Sequence, residues 1–245
     1  MEQRAAGRRT PLNRARVLHA AVALADEAGI DAVSMRRLAE ELGVVPMALY
    51  KHVANKDELL DGMVDVVLGE IEPVEPDGRE LHWTDAVRQR VLSARRAVLR
   101  HRWARQAIES RTHRTPVVLG HMDAVAGMFR AGGCSVDLTH HVMHALGNRI
   151  WGFSPELFDE PPSDPAGPGP TAEEQEAMVR EFGRRFPHVL EIATVATEGD
   201  LSAVGQGCDE QFEFEFALDL LLDGADRLRR QGWRSRDRAG APPTI

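Results

Sequence analysis

Among the 245 residues of this chain, the side chains best suited to gripping phosphate are crowded into one short stretch, LYKHVANKDE at 49–58. It contains the only tyrosine, Tyr50, and both lysines, Lys51 and Lys56, with His52 between them. Phenol, imidazole and ammonium groups all donate hydrogen bonds to phosphate oxygens, and a lysine set on a phosphate also releases counterions from a polyanion. Chance clustering is the competing account. A second concentration is of imidazoles: six of the ten histidines, His101, His113, His121, His140, His141 and His144, fall between 101 and 144. His140 and His144 are four residues apart, which puts both rings on one helix face and suits a transition metal. This spacing supports an alternative reading, a metal-dependent enzyme or metal sensor using the histidine cluster 101–144. No third ligand stands at a compelling spacing, so polar or core histidines are the simpler account, and no metal or other cofactor is expected. No Gly-rich phosphate loop, nucleophile elbow or HExxH spacing occurs, so the chain is not expected to be an enzyme.

A net charge of -8 argues by itself against a nucleic-acid binder. The average hides an asymmetry: residues 1–56 carry nine basic and six acidic side chains, a net of +3, whereas 57–245 carry 21 and 32, a net of -11. A basic module able to approach a polyanion is joined to an acidic body that is not. The first 16 residues set Arg4, Arg8, Arg9, Arg14 and Arg16 against Glu2 alone, so 1–11 reads as a flexible basic arm. Cys134 and Cys208 are far apart and follow no metal-ligand spacing, which fits reduced thiols of a cytosolic protein. The opening MEQRAAGRRT has no apolar run, and no stretch of about 18 uncharged apolar residues follows, so a cytoplasmic protein without a membrane span is predicted.

The elements that must position these residues are helices. Over 12–28 apolar residues recur at helical spacing, with Gly29 at the C-terminal cap. Ser34 can cap a short helix, MRRLAEEL, that Gly43 ends, and Pro46 suits the first position of another, PMALYKH. Asn55 and Glu58 have capping-box spacing at the start of DELLDGMVDVVLGEI. Two short helices across a Gly turn, flanked by longer ones, make a helix-turn-helix pattern, with the motif at about 34–53 in a domain at 12–71. After the PVEPDG break, helices are predicted at about 82–110, 115–132 and 135–153. A proline-rich loop follows at 155–170, then helices at 172–186 and 188–197, and a long last helix that opens on FEFEF. The tail, 232–245, reads as disordered. The fold class expected is all-α: an N-terminal three-helix helix-turn-helix domain followed by a larger helical domain at 77–231.

At this point the chain resembles the tetracycline-repressor (TetR) family of bacterial transcription regulators. The residues that carry the resemblance are Ala20-Ala21, Gly29, the run from Ser34 to Ala39, Leu42-Gly43-Val44, Ala48-Leu49-Tyr50, His52, Asn55-Lys56 and Leu59-Leu60. VLRHR at 98–102 and ALGNRIWG at 145–152 resemble the tetracycline-repressor-like regulatory half. In helix-turn-helix proteins the second helix enters the major groove with its first residues at base edges. The resemblance therefore implies that Met47 and Ala48 lie nearest the bases, within reach of a thymine methyl. It also implies that Tyr50 and His52 donate to phosphates, Tyr50 with its ring against the core, and that Lys56 clamps a further phosphate at a helix N-terminus. Ser34 belongs to the same set. Arg36 is a candidate for a guanine contact or a solvated helix residue, and Lys51 meets base or backbone. Val45 stands where family members often place Ser or Thr, so no hydroxyl is supplied there.

For the larger half, the resemblance implies ligand binding and dimerisation. The expected partners are double-stranded operator DNA, a second copy of the chain and a small-molecule inducer, with no membrane. The resulting reading is a ligand-responsive repressor that binds a palindromic operator as a homodimer and is released by its inducer. Residues 135–153 and 207–231 are candidates for a dimer bundle, with Met143, Leu146, Ile150, Phe212, Phe216, Leu220 and Leu221 as its seam or as intrachain core. Ile108 and Asn148 stand where tetracycline repressors have metal-binding histidines, which argues against tetracycline itself. An apolar or aromatic inducer is expected instead, lined by some of Trp103, Ile108, Met122, Met128, Phe129, Asn148 and Trp151, any of which can equally be core.

Overall fold

The computed structural model describes residues 11–74, 81–111, 113–151, 171–196 and 209–237. These hold eleven α-helices and, among the described residues, no strand, as expected. Residues 1–10 of the basic arm and the loop at 155–170 lie outside the described residues. Two compact units emerge: one takes the described residues up to Trp151 together with Leu221 onward, the other lies within 152–220.

Local signals build the first four helices. The Asn13 side chain accepts the Arg16 amide at 2.8 Å and starts α1 (Arg14–Ala28). The Ser34 hydroxyl accepts the Arg37 amide at 3.2 Å and starts α2 (Met35–Leu42). Gly43 ends α2 with φ 65°, a left-handed conformation in which L side chains are strained, and Val44 N–H returns to the Ala39 carbonyl at 2.9 Å. Pro46 opens α3, which is shorter than expected: it spans only Pro46–Leu49, and 50–52 is a turn closed by the His52 and Val53 amides on the Leu49 carbonyl. The long α4 (Lys56–Gly69) follows. Val17, Leu18, Leu38, Leu49, Val53, Leu59, Met63 and Val67 interlock as one core. Gly62 lets α1 and α4 touch, since a Cβ there would lie 2.5 Å from Leu18 Cδ2.

The helix expected over 82–110 is broken in two, α5 (Trp83–Arg100) and α6 (Ala104–Glu109). At the break His101 leaves helical geometry (φ -115°, ψ 70°) and is buried against carboxylates of the N-terminal helices. Ala94, Ala97, Trp103, Ala104 and Ala107 join the same core as the helix-turn-helix residues. One core of buried side chains therefore runs across 71–77. Beyond it lie α7 (Pro116–Ala131) and α8 (Val136–Trp151).

Trp83 packs on Phe129 with ring centroids 5.5 Å apart and on Gly132, where a Cβ would lie 2.2 Å from the Trp83 ring. Gly132 has an ordinary φ of -71°, so the obstacle to a side chain is the indole alone. A buried ring cannot swing aside as the tip of a leucine can. Gly132→Ala is accordingly expected to destabilise by about 1–3 kcal/mol and to lower Tm by about 2–4 °C per kcal/mol in thermal denaturation, more than Gly62→Ala does.

Of the expected tail, 232–237 is described and 238–245 lies outside the described residues. After α11 (Glu210–Arg230), Gly232 turns back at φ 64°, and Trp233 N–H reaches the Leu228 carbonyl at 3.1 Å. The Trp233 ring meets the edge of His141 at 5.5 Å, and Asp137 accepts the Ser235 amide at 2.6 Å and its hydroxyl at 2.7 Å. Residues 232–237 thus make contacts that a short polar sequence does not advertise.

In the second unit, Thr171 and Glu174 form a full capping box at the start of α9 (Ala172–Arg185). Gly183 lets Leu190 of α10 (Pro187–Ala196) approach closely. FEFEF is helical: Phe214 is buried, while Phe212 and Phe216 are exposed and stack at 6.3 Å. Of the bundle candidates, Phe212, Phe216 and Leu220 are exposed, Leu146 is buried within the chain, and Met143 and Leu221 are half-buried. The side chain of Ile150 lies outside the described residues.

Candidate nucleic-acid interface

The turn between α2 and α3 pushes an unusual set of side chains outward. Leu49 and Val53 point into the core, and that orientation leaves Val45 68% and Met47 71% exposed. Pro46 is exposed and Ala48 half-buried beside them. Tyr50 is 45% exposed, whereas its neighbour Leu49 is fully buried. Lys51 and Lys56 are exposed and His52 is half-buried. Ser34 spends a lone pair on the Arg37 amide and keeps its hydroxyl proton for another acceptor. Arg36 is largely in solvent and pairs with Glu40 one turn on, at 3.1 Å. An exposed pair of this kind holds a side chain weakly, by about 0.3–0.5 kcal/mol.

At the head of α4 the Asn55 side chain accepts the Glu58 amide at 2.8 Å. Glu58 reaches back not to Asn55 but one residue further, accepting the Ala54 amide at 2.7 Å, and Arg14 stands 3.4 Å from its other oxygen. The Ala54 hydrogen bond, with help from Arg14 and against the opposing effect of burial, holds the Glu58 carboxyl below its ordinary value. A carboxyl depressed in the folded state stabilises above its unfolded pKa and loses that contribution as pH falls through the folded value. Glu58→Gln is expected to leave a shallower loss of stability on the acid side, below about pH 4.5, when denaturation is followed from pH 7 to 3.

Sequence reasoning missed the ties that join this head to the following helices. Asp57, Asp61 and Asp65 recur at four-residue steps along one face of α4, a spacing that signals a shared partner surface. Arg111 meets the first two: Nη2 is 3.0 Å from Asp57 and Nη1 3.2 Å from Asp61, with a further bond to the Asp57 carbonyl at 3.1 Å. Burial pushes the Arg111 guanidinium down, but the two aspartates more than reverse this and raise it. The Thr115 hydroxyl donates to Asp65. At the far end, Arg90 donates to the Ile71 and Glu72 carbonyls at 3.2 and 2.8 Å, and the Ser93 hydroxyl accepts the Glu72 amide at 2.9 Å. The other side of Arg90 donates to Nδ1 of His121 at 3.2 Å. Burial and this neighbouring cation push His121 down to about 4, so its ring is a neutral acceptor.

The densest tie is at the α5–α6 break. His101 Nδ1 is 2.8 Å from Asp26 of α1, and its Nε2 is 3.1 Å from Glu70, which caps α4. Trp103 Nε1 donates to the same Asp26 oxygen at 2.6 Å, and Arg100 donates to Glu70 at 2.6 Å. The head, whose exposed residues suit a nucleic acid, is thereby fixed at both ends of α4 and at α1 to helices of the following half.

Comparison with known proteins agrees with this arrangement. Residues 17–63 match the family model described as bacterial regulatory proteins, tetR family, and 73–228 match the tetracyclin repressor-like C-terminal domain. The chain belongs to the TetR family. It is 37% identical over 234 residues to the HTH-type transcriptional repressor DrrR1 of Streptomyces coeruleorubidus, covering 92% of this chain and 81% of that one. Among solved structures, apo ActR from Streptomyces coelicolor superposes with a TM-score of 0.68 at 25% identity, over 91% of this chain and 99% of ActR. ActR in complex with actinorhodin gives 0.66 at 27% identity, over 89% and 98%.

The residues expected to line an inducer pocket have varied surroundings. Trp103 is buried in the core shared with the helix-turn-helix and bonded to Asp26, and Ile108 packs on the edge of that core. Phe129 is fully buried against Trp83. Met122 is partly exposed and Met128 half-buried, while the side chains of Asn148 and Trp151 lie outside the described residues. His140 and His144 do meet edge-on at 4.7 Å, and His141 lies 3.6 Å from Asp137. Among the described residues no group of three or more side chains is placed to hold a metal ion. No described helix is long and apolar enough to cross a membrane.

Proposed function

We propose that this chain is a non-enzymatic, cytoplasmic repressor that binds a palindromic operator as a homodimer and leaves it when a small molecule enters the regulatory half. The observation that carries the reading is the helix-turn-helix surface, where exposed Val45 and Met47 stand among Ser34, Arg36, Tyr50, Lys51, His52 and Lys56. Exposed apolar groups suit base edges and the surrounding cations suit phosphates, which supports the reading. The name of DrrR1 and the actinorhodin bound to ActR support the repressor and ligand parts. A four-residue reading helix spans too few bases alone, so two copies about 34–36 Å apart on successive major-groove turns are required. The exposed row of Phe212, Phe216 and Leu220 on α11 supports such pairing.

The domain division used by the reading is 12–71 for the operator-binding head and 77–231 for the regulatory half. Met122, Met128 and Ile108 are the described residues retained as candidate lining for an apolar or aromatic inducer. In vitro selection of duplexes by the purified protein tests the reading. The expected product is an inverted repeat with half-sites one helical turn apart, and a thermal-shift panel of aromatic compounds then finds inducers that release it. Selection that enriches no symmetrical site overturns it.

A further inference from the structure

Four consecutive residues at the leading edge of the reading helix, Val45, Pro46, Met47 and Ala48, offer no side-chain hydrogen-bond donor, and Pro46 has no amide proton. The other large apolar residues of the head are packed away: Leu38, Leu49, Leu59 and Met63 are fully buried and Val53 nearly so. Val45 and Met47 are held out by a structured turn, with Gly43 left-handed on one side and Leu49 anchored on the other. Ser34, Tyr50, Lys51 and Lys56 are exposed around them, and residues 1–56 carry a net charge of +3. An apolar centre inside a cationic and hydroxylic rim is complementary to the floor of a major groove between two phosphate walls.

Resting on the operator-binding reading above, we infer that Val45 and Met47 read pyrimidine C5-methyl groups, so that the operator half-site sets thymine, or 5-methylcytosine, against them. In the major groove the only sizeable apolar group of a base pair is the C5-methyl; apart from the small C5–H of cytosine, the other edge groups are donors or acceptors. A purine N7 or O6, or a cytosine amino group, pressed against Val45 and Met47 would lose water and gain no partner. A methyl in the same place leaves water without that loss. Selectivity here comes from the mismatch of polar edges as much as from contact with the methyl itself.

The test uses the full chain and the operator obtained by selection. Each thymine is replaced singly by deoxyuridine, which removes only the methyl, and affinity is read by fluorescence anisotropy. At one or two positions in each half-site the substitution weakens binding roughly fourfold, the factor for one buried methyl-sized group, and symmetrical replacement in both half-sites about fifteenfold. At those positions a 5-methylcytosine–guanine pair binds better than an unmethylated cytosine–guanine pair. The Val45→Ala, Met47→Ala double variant, whose changes lie on exposed side chains, melts like wild type and loses the thymine–deoxyuridine difference. The inference is overturned if every deoxyuridine operator binds within twofold of the thymine operator, or if the double variant keeps the discrimination. A protein that enriches no duplex at all overturns the operator-binding reading itself, and the inference with it.

Discussion

Lys56→Ala is expected to weaken duplex binding by about tenfold at low salt, alike on operator and unrelated sequences, and to make its salt dependence shallower. Each lysine that neutralises a phosphate adds about 0.9 to the slope of log affinity against log salt, so two copies in a dimer account for about 1.8. Lys56 is suited to this role by its neighbours. It is the first residue of α4, where amide protons face outward and the helix dipole favours an anion. The two carboxylates that follow it in the first turn would repel a phosphate, but both are occupied. Asp57 is paired with Arg111, and Glu58 accepts the Ala54 amide beside Arg14. Tyr50→Phe, which removes only a hydroxyl from a ring that is already 45% exposed, is expected to cost a further few-fold in affinity with an unchanged melting temperature. Anisotropy titrations across a salt series decide the matter: an unaltered slope in Lys56→Ala would falsify the assignment of this stretch to phosphates.

What was legible in the sequence, and what was not, separates by distance along the chain. Asn55, Ser34, Gly43 and Pro46 act within four residues of themselves, so the order of the short helices follows from reading them locally. The early stop of α3 has no local signal: 50–52 is a turn in which the His52 and Val53 amides both return to the Leu49 carbonyl. The ties that set the head against the next helices join residues 54 apart, as Arg111 and Asp57, or 75 apart, as His101 and Asp26. Periodicity says nothing of such pairs, although the four-residue spacing of Asp57, Asp61 and Asp65 marks the face that makes them. Which side chain covers an apolar face is likewise not local. A Trp or Phe at helical spacing shows that a helix has an apolar face but not which neighbour covers it: Trp103 is buried in the core it shares with the helix-turn-helix, and Phe129 lies against Trp83.

Substituting His101 by Gln is expected to lower stability by about 1–3 kcal/mol, the range for leaving buried hydrogen-bonding groups unsatisfied, and Tm by about 2–4 °C for each kcal/mol. The ring is 7% exposed and presents both nitrogens to carboxylates on two separate helices of the head. Glutamine can donate to one of them, but its carbonyl then faces the other, acceptor against acceptor. Trp103→Phe removes only the donor that His101 shares at Asp26 and keeps a ring in the core, so it should cost less. The acid limb separates this tie from simple packing. Burial pushes the Glu70 carboxyl up, and Arg100 with His101 more than reverses it, holding the group below its ordinary value. A carboxyl so lowered stabilises at neutral pH and loses that contribution as pH falls through its folded value. In His101→Gln part of the lowering is gone, so stability should fall less steeply on acidification than in wild type. Because His101 joins the α5–α6 break to both α1 and α4, the same variant should blunt the effect of an inducer on operator affinity while leaving Lys56 and its salt slope untouched. A variant that melts lower yet answers inducer as wild type does would make His101 a structural strut only.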